Sequence, residues 1–332
     1  MLQQLRNHRL QPALLVLLLC TASLSRAEWL TETRPMMGTE IRVELWSQDP
    51  AQGRVAQQAV FDEFRRLDEM MNPWNEQSLL SAVNRRASEG AVSVTPELIE
   101  VVQRSLHFSR LSQGAFDISF AAAGRHYDFR EGVAPSPGEL AKASAAIDYR
   151  QLSVDVPAST ITFGHKGMSL DLGGIAKGYA VDRGIQILIQ AGVESAVVSA
   201  GGDSHILGNL GDRPRMIGIR HPRKEGEYIA VIPLADTAIS TSGDYERFFD
   251  RDGVRFHHII DPATGDSARK VRSASVIAAN AIDTDALSTT VFVLGVEKGL
   301  ALVNGLPGVD AIIVDGEGKL HYSRELLLST TE

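Results

Sequence analysis

Residues 171–182, Asp-Leu-Gly-Gly-Ile-Ala-Lys-Gly-Tyr-Ala-Val-Asp, constrain this chain more than any other stretch. They follow an alternating apolar run (Ile161, Phe163, then Met168 and Leu170). They lead into a helical pattern in which Ile185, Leu188 and Ile189 share one face. An acid, Asp171, therefore stands at a strand end, two glycines turn the chain, and Lys177 sits in the first helical turn. A glycine turn that opens a helix presents free backbone N–H groups and the positive end of the helix dipole, which suits an anion. The same residues equally describe a tight strand-to-helix connection with a solvated Asp and Lys. The rest of the chain must decide between the two.

A chain of 332 residues is long enough for one large domain or two intimately packed ones. Its first 27 residues read as a secretory signal peptide: Arg6 and Arg9 form a positive start, Ala13 to Leu19 an apolar stretch, and Ser25-Arg26-Ala27 a small-x-small cleavage site. The expected mature unit is 28–332, exported to the periplasm. Removing residues 1–27 removes three Arg and no acid, so the formal charge goes from −8 to −11, with 30 basic against 41 acidic residues. That balance, without a dense basic run, argues against nucleic acid or an anionic membrane surface as the main partner. The single cysteine, Cys20, lies within the signal. A mature chain without cysteine excludes disulfides, thiol catalysis and Cys-ligated zinc. A lipoprotein, with inner-membrane association through Cys20, ranks second because the large Leu19 precedes it.

Thr39 to Trp46 alternates as a strand, with Ile41, Val43 and Leu45 on one side. Residues 54–71 carry a helical stripe of Val60, Phe64, Leu67 and Met71. Thr95-Pro96-Glu97 opens another helix with an N-cap Thr and Pro in the first turn, ending near Gly114. Strand patterns fall at 151–155, 159–163, 168–172, 196–198, 215–220, 228–234, 237–241, 271–279 and 309–314. Helical patterns fall at 138–146, 283–294 and 296–304. Neighbouring strands mixed with long helices, without strict βαβ repetition, predict an α+β fold: largely antiparallel sheets packed with helices, in a single unit.

Two further runs could carry chemistry. His257-His258-Ile259-Ile260-Asp261-Pro262 places an imidazole, the side chain that titrates nearest working pH, beside an apolar strand and a carboxylate. It is equally a surface His pair before an Asp-Pro turn. Zinc is disfavoured there, since adjacent strand residues point to opposite faces. Asp285 and Thr289 lie four apart, on one face of a helix, and offer two hard oxygen ligands. Magnesium takes one or two protein carboxylates and completes its shell with water and phosphate, whereas on spacing alone an Asp complementing the helix dipole explains the run better. Gly173, Gly174 and Gly178 do not spell G-x-G-x-x-G, Lys177 is not in a P-loop, and there is no G-x-S-x-G elbow.

Read in order, these runs resemble the ApbE family of periplasmic flavin transferases. The resemblance rests on Met37-Gly38-Thr39, Ser78-x-x-Ser81-x-x-Asn84 and Gly114-Ala115-Phe116-Asp117. It continues through 171–182, Gly201-Gly202-Asp203, Thr241 through Arg247, His258 through Gly265 with its Asp261-Pro262-x-Thr264 core, and Asp285-Ala286-Leu287-Ser288-Thr289. It implies magnesium-dependent transfer of FMN from FAD to a Ser or Thr hydroxyl of a periplasmic acceptor flavoprotein, with release of AMP. It implies that Met37, Trp74, Ala115, Phe116, Asp117, Asp171, Lys177 and Ile259 contact FAD. Gly174 (through its carbonyl), Asp285 and Thr289 would hold magnesium, and His258 would take the acceptor's proton. Trp74 stands where the family often has Tyr. The implied partner is a flavoprotein subunit of a membrane redox complex. The competing expectations are a magnesium-dependent FAD pyrophosphatase using the same site, and a non-catalytic FAD-binding protein.

Overall fold

The structure, a computed structural model, describes residues 27–329. The expected leader, Cys20 included, lies outside the described residues except for Ala27. Eight strands form the central sheet. In spatial order they are Glu28–Met36, Thr39–Ser47, Ala196–Ala200, Asp203–Leu207, Thr237–Gly243, Val271–Ala278, Asp310–Asp315 and Leu320–Tyr322. Every neighbouring pair is antiparallel. This is the expected α+β architecture. The period-two pattern does its work in Thr39–Ser47: Ile41, Val43 and Leu45 are wholly buried while Glu40 and Arg42 face outward.

Helices Pro50–Met71, Ala176–Gln190 and Ala281–Leu294 pack together on one face of the sheet. On the other, hairpin Arg215–Arg220/Tyr228–Leu234 helps close a smaller apolar cluster of Ile206, Ile219, Leu234, Ile239 and Ile312. Helix Ala281–Leu294 is buried nearly all round, so it has no amphipathic stripe. That position lets its polar side chains, Thr284, Asp285, Ser288 and Thr289, act inside the protein. Three of them meet hydroxyls of the adjacent strand: Ser240–Thr284 at 2.7 Å, Ser242–Ser288 at 2.9 Å and Ser242–Thr289 at 3.2 Å. No helix among the described residues is long and apolar enough to cross a membrane.

The sequence reading missed the central-sheet strands Asp203–Leu207 and Leu320–Tyr322, and it differs from the structure at three further places. Residues 168–172 alternate like a strand but pair with none. The Asn84 side-chain amide takes both backbone groups of Leu170, at 2.7 and 2.9 Å, and Asp171 N–H donates to the Ile118 carbonyl. A side chain and a loop thus satisfy the bonds that a neighbouring strand would otherwise supply. Edge strand Glu28–Met36 escaped the pattern because Leu30 is its only buried residue and Pro35 interrupts it, which an edge tolerates. Hairpin Phe248–Arg251/Val254–His257, just before His258, also carries too little alternation to read.

Candidate active site

The site forms where two helices approach closely enough to require glycine. A Cβ built on Gly178 would lie 2.1 Å from the Ala281 carbonyl oxygen and 2.8 Å from Asp285 Cβ. Gly178 therefore lets the start of helix Ala176–Gln190 lie against the start of helix Ala281–Leu294. Asp182, the last residue of the opening motif, fixes that crossing. Its carboxylate accepts from the Ala281 and Ile282 N–H groups at 2.8 and 2.9 Å, capping the second helix, and also meets His205 Nδ1 at 2.8 Å.

The crossing brings Asp285 to the glycine turn. Asp285 Oδ2 accepts from Gly178 N–H at 3.0 Å and from Lys177 Nζ at 3.2 Å. Lys177 also donates to the Gly173 carbonyl at 2.8 Å and lies 3.1 Å from Asp203 Oδ2, outside hydrogen-bond angles for that oxygen. Asp203 enters from the strand across the Gly201-Gly202 turn and is buried. Burial opposes the Lys177 charge, but Asp203 and Asp285 outweigh it and hold the ammonium above its usual range. Burial, together with Asp203, pushes the Asp285 carboxyl up, and Lys177 opposes the rise. On the turn itself, a Cβ on Gly174 would sit 3.4 Å from Thr289 Oγ1 and 3.3 Å from the Phe116 ring. Gly174, Lys177, Asp285 and Thr289 are thus one cluster.

His258 follows strand Val254–His257 and is half-buried; its Nδ1 is enclosed without a hydrogen-bond partner. Burial first, then the Arg247 guanidinium, His257 and Lys177, push its pKa from 6.5 down to about 3, so the ring is neutral near pH 7. His257 plays a different part. It is buried, its Nε2 meets the Ala268 carbonyl at 2.6 Å, and its ring packs edge-on against Phe292. Ile259 is buried in the main core beside it.

The remaining sequence candidates frame this cluster unevenly. Met37 and Gly38 form the tight turn of the edge hairpin, both with positive φ (52° and 68°). The Asp171 carboxylate closes the glycine turn by accepting from Gly173 N–H at 2.7 Å, and burial raises its pKa against the pull of Arg247 and Lys177. Phe116 is buried and Ala115 half-buried, beside Gly174 in the case of the Phe116 ring. The Asp117 carboxylate is occupied within its own loop, accepting from Ser119 N–H and Oγ and from Tyr149 N–H at 2.7–2.8 Å. Trp74 is 74% exposed on the loop after the first long helix. The Ser78-x-x-Ser81-x-x-Asn84 run ties that loop down: Ser78 and Ser81 donate to the Asn72 and Pro73 carbonyls, while Asn84 clamps Leu170.

Asp203, Arg247 and Asp182 were not singled out as individual sites in the sequence. Asp203 had a readable signal, since it repeats the pattern of an acid beside a Gly-Gly turn at an apolar strand. Two surface depressions, one among Glu63, Arg66, Glu97, Tyr179 and Arg183 and one beside Trp46 and Asp49, are lined by no residue of the cluster. The first is lined by ion-paired side chains and the second borders the N-terminus of helix Pro50–Met71.

The donor chemistry fits a hard cation. Asp285 and Thr289 supply oxygen, Asp203 Oδ2 is buried with only the Lys177 ammonium beside it at 3.1 Å, and the absent Cβ at Gly174 leaves room beside Thr289. Among the described residues no group of three or more His, Cys, Asp or Glu forms a closed metal cage. Such a sparse set suits magnesium, which keeps water and substrate phosphate in its shell.

The sequence profile of the ApbE family matches residues 37–313. The chain belongs to the ApbE family. An ApbE relative in Treponema pallidum, an FAD:protein FMN transferase, is 36% identical over 307 residues, covering 87% of this chain and 85% of that one. The ApbE crystal structure from Thermotoga maritima superposes with a TM-score of 0.83 at 33% identity, over 91% of this chain and 99% of that one. The flavin transferase ApbE of Vibrio cholerae gives 0.81 at 27% identity, with the same coverage.

Proposed function

We propose that this ApbE chain is an FAD:protein FMN transferase that moves FMN from FAD onto a Ser or Thr hydroxyl of an acceptor protein and releases AMP. The observation that carries the reading is the convergence of Gly174, Lys177, Asp285 and Thr289 at one helix crossing, together with a neutral His258 that has an unpartnered buried ring nitrogen. The name shared by its relatives supports the reaction class.

In this reading Gly174, Asp285 and Thr289 hold magnesium. Bound there, the ion would supply Lewis-acid charge to the pyrophosphate and offset charge building toward AMP. Lys177, already poised between Asp203 and Asp285, adds a fixed positive charge at the same place. The Met37 turn and Trp74 offer apolar surface for the flavin and adenine rings, with the buried Phe116 ring packed behind Gly174. His258 accepts the hydroxyl proton as the acceptor oxygen bonds to the FMN phosphorus and the bond from that phosphorus to the AMP phosphate breaks. The low pKa of the free imidazole fits this task once substrate is present. An anionic pyrophosphate nearby raises it, because opposite charge favours imidazolium. Base assistance of this kind is worth ~10²–10⁴-fold.

The N-terminal leader supports export to the periplasm, with an acceptor exposed there as part of a membrane redox complex. Incubation of the mature chain with FAD, magnesium and a candidate acceptor tests the reading. Flavin fluorescence migrating with the acceptor, abolished by a chelator, is expected. Free FMN with a dark acceptor assigns FAD hydrolysis instead, and FAD left intact assigns a binding protein.

A further inference from the structure

We infer that Arg247 is a positioning residue for transfer, locking the Met37–Gly38 turn and the His258 loop into one register. The inference rests on the reading of His258 as the base. Arg247 Nη2 donates to the Gly38 carbonyl at 2.8 Å, across 209 residues of sequence. Its own backbone carbonyl accepts from the His258 N–H at 3.2 Å. One residue thus touches both the turn that presents Met37 and the main chain that carries the imidazole.

The glycine on the other side of the contact is required twice. Gly38 has φ +68°, and a Cβ there would stand 3.0 Å from Arg247 Nη2. A larger residue would strain the turn and press on the guanidinium that holds it.

The charge of Arg247 is also not taken up by an ion pair, unlike that of several nearby arginines. Arg220 pairs with Glu246, Arg223 with Asp244, and Arg255 with Asp250. Among the described residues Arg247 has no carboxylate in ion-pair contact, and its side chain bonds to a carbonyl instead. Its field therefore reaches the site. It lowers the proton affinity of both His258 and Asp171, alongside Lys177 for each and His257 for His258. The link fixes where the imidazole stands, and the charge adds to the burial that already disfavours the protonated ring.

The test compares Arg247→Gln, Arg247→Lys, Gly38→Ala and the Gly38→Ala/Arg247→Gln pair in the full mature chain. The His258 imidazole is titrated by NMR without turnover, and kcat and KM for FAD are measured with acceptor. Arg247→Gln is expected to raise the His258 midpoint by about half a unit. Its kcat should fall about 10- to 100-fold, with KM for FAD within about threefold, the pattern of a displaced base. Arg247→Lys keeps a charge but not the reach, so the midpoint stays while kcat still falls. Gly38→Ala should lose kcat similarly, and the double variant should be no worse than the poorer single, as expected for residues acting through one contact. An unchanged kcat and midpoint in Arg247→Gln overturns the inference. So does a raised KM with kcat preserved, or full additivity in the double variant. Failure of the base assignment shows separately, as transfer retained by His258→Ala.

Discussion

The helix crossing at Gly178 offers the sharpest physical prediction. In Gly178→Ala the new Cβ would lie 2.1 Å from the Ala281 carbonyl oxygen, 2.6 Å from its carbon and 2.8 Å from Asp285 Cβ, where ordinary contact begins at 3.4 Å. The obstacle is mostly backbone of a buried helix, so no side-chain rotation relieves it, and the helices must part by roughly 1 Å. Overpacking of this kind costs ~1–3 kcal/mol. Stretching the Gly178 N–H bond to the Asp285 carboxylate forfeits part of a charge-assisted bond worth ~1.5–3 kcal/mol. The better helix propensity of alanine returns ~1 kcal/mol. The net expectation is a loss of about 2–4 kcal/mol in urea unfolding. Because Asp285 moves with its helix, turnover should drop about 100-fold under saturating FAD and magnesium. Gly90→Ala is the control, since a Cβ there meets nothing within 4 Å. A Gly178→Ala protein with the stability and turnover of Gly90→Ala would refute the account of the crossing.

Three further outcomes follow from the same geometry. Asp285→Ala should abolish magnesium-dependent FAD cleavage and measurable magnesium binding by calorimetry; an unaltered magnesium response contradicts the ligand assignment. Asp182→Ala should cost about 1–2 kcal/mol in chemical unfolding, because the Ala281 and Ile282 N–H groups lose their carboxylate cap. Acid should destabilise the fold through His258. Its folded pKa, about 3, lies below its ordinary 6.5, so the native state binds fewer protons than the unfolded chain between these values. That contribution is complete above 6.5 and is lost as pH falls through the window. His258→Gln should flatten the pH dependence of the urea midpoint there, leaving the share of the similarly depressed His257; an undiminished slope counts against a His258 held neutral in the fold.

What the sequence disclosed depended on how local each signal was. The spacing of Asp285 and Thr289 follows from 3.6 residues per turn, and the Gly-Gly turn before Lys177 follows from chain geometry, so both could be read directly. The antiparallel strands around Ile41, Val43 and Leu45 were readable for the same reason. Arg247 and Gly38 meet across 209 residues, and Lys177 finds Asp203 from a different strand. No periodicity encodes such pairings. Residues 168–172 misled because alternation reports which side chains face inward. It does not report whether a strand or the Asn84 amide satisfies the backbone. Asp182 looked like the tail of an anion-binding motif, whereas its carboxylate caps the helix that carries Asp285.

The central claim is that this site attaches FMN to a protein and that His258 drives the attachment. Mass spectrometry of a candidate acceptor co-expressed with the chain tests it most directly. The account predicts an acceptor carrying one added FMN on a Ser or Thr when the wild-type chain is present, and an unmodified acceptor with His258→Ala. An acceptor left unmodified by the wild-type chain while FAD is consumed, or one still modified with His258→Ala, would contradict it.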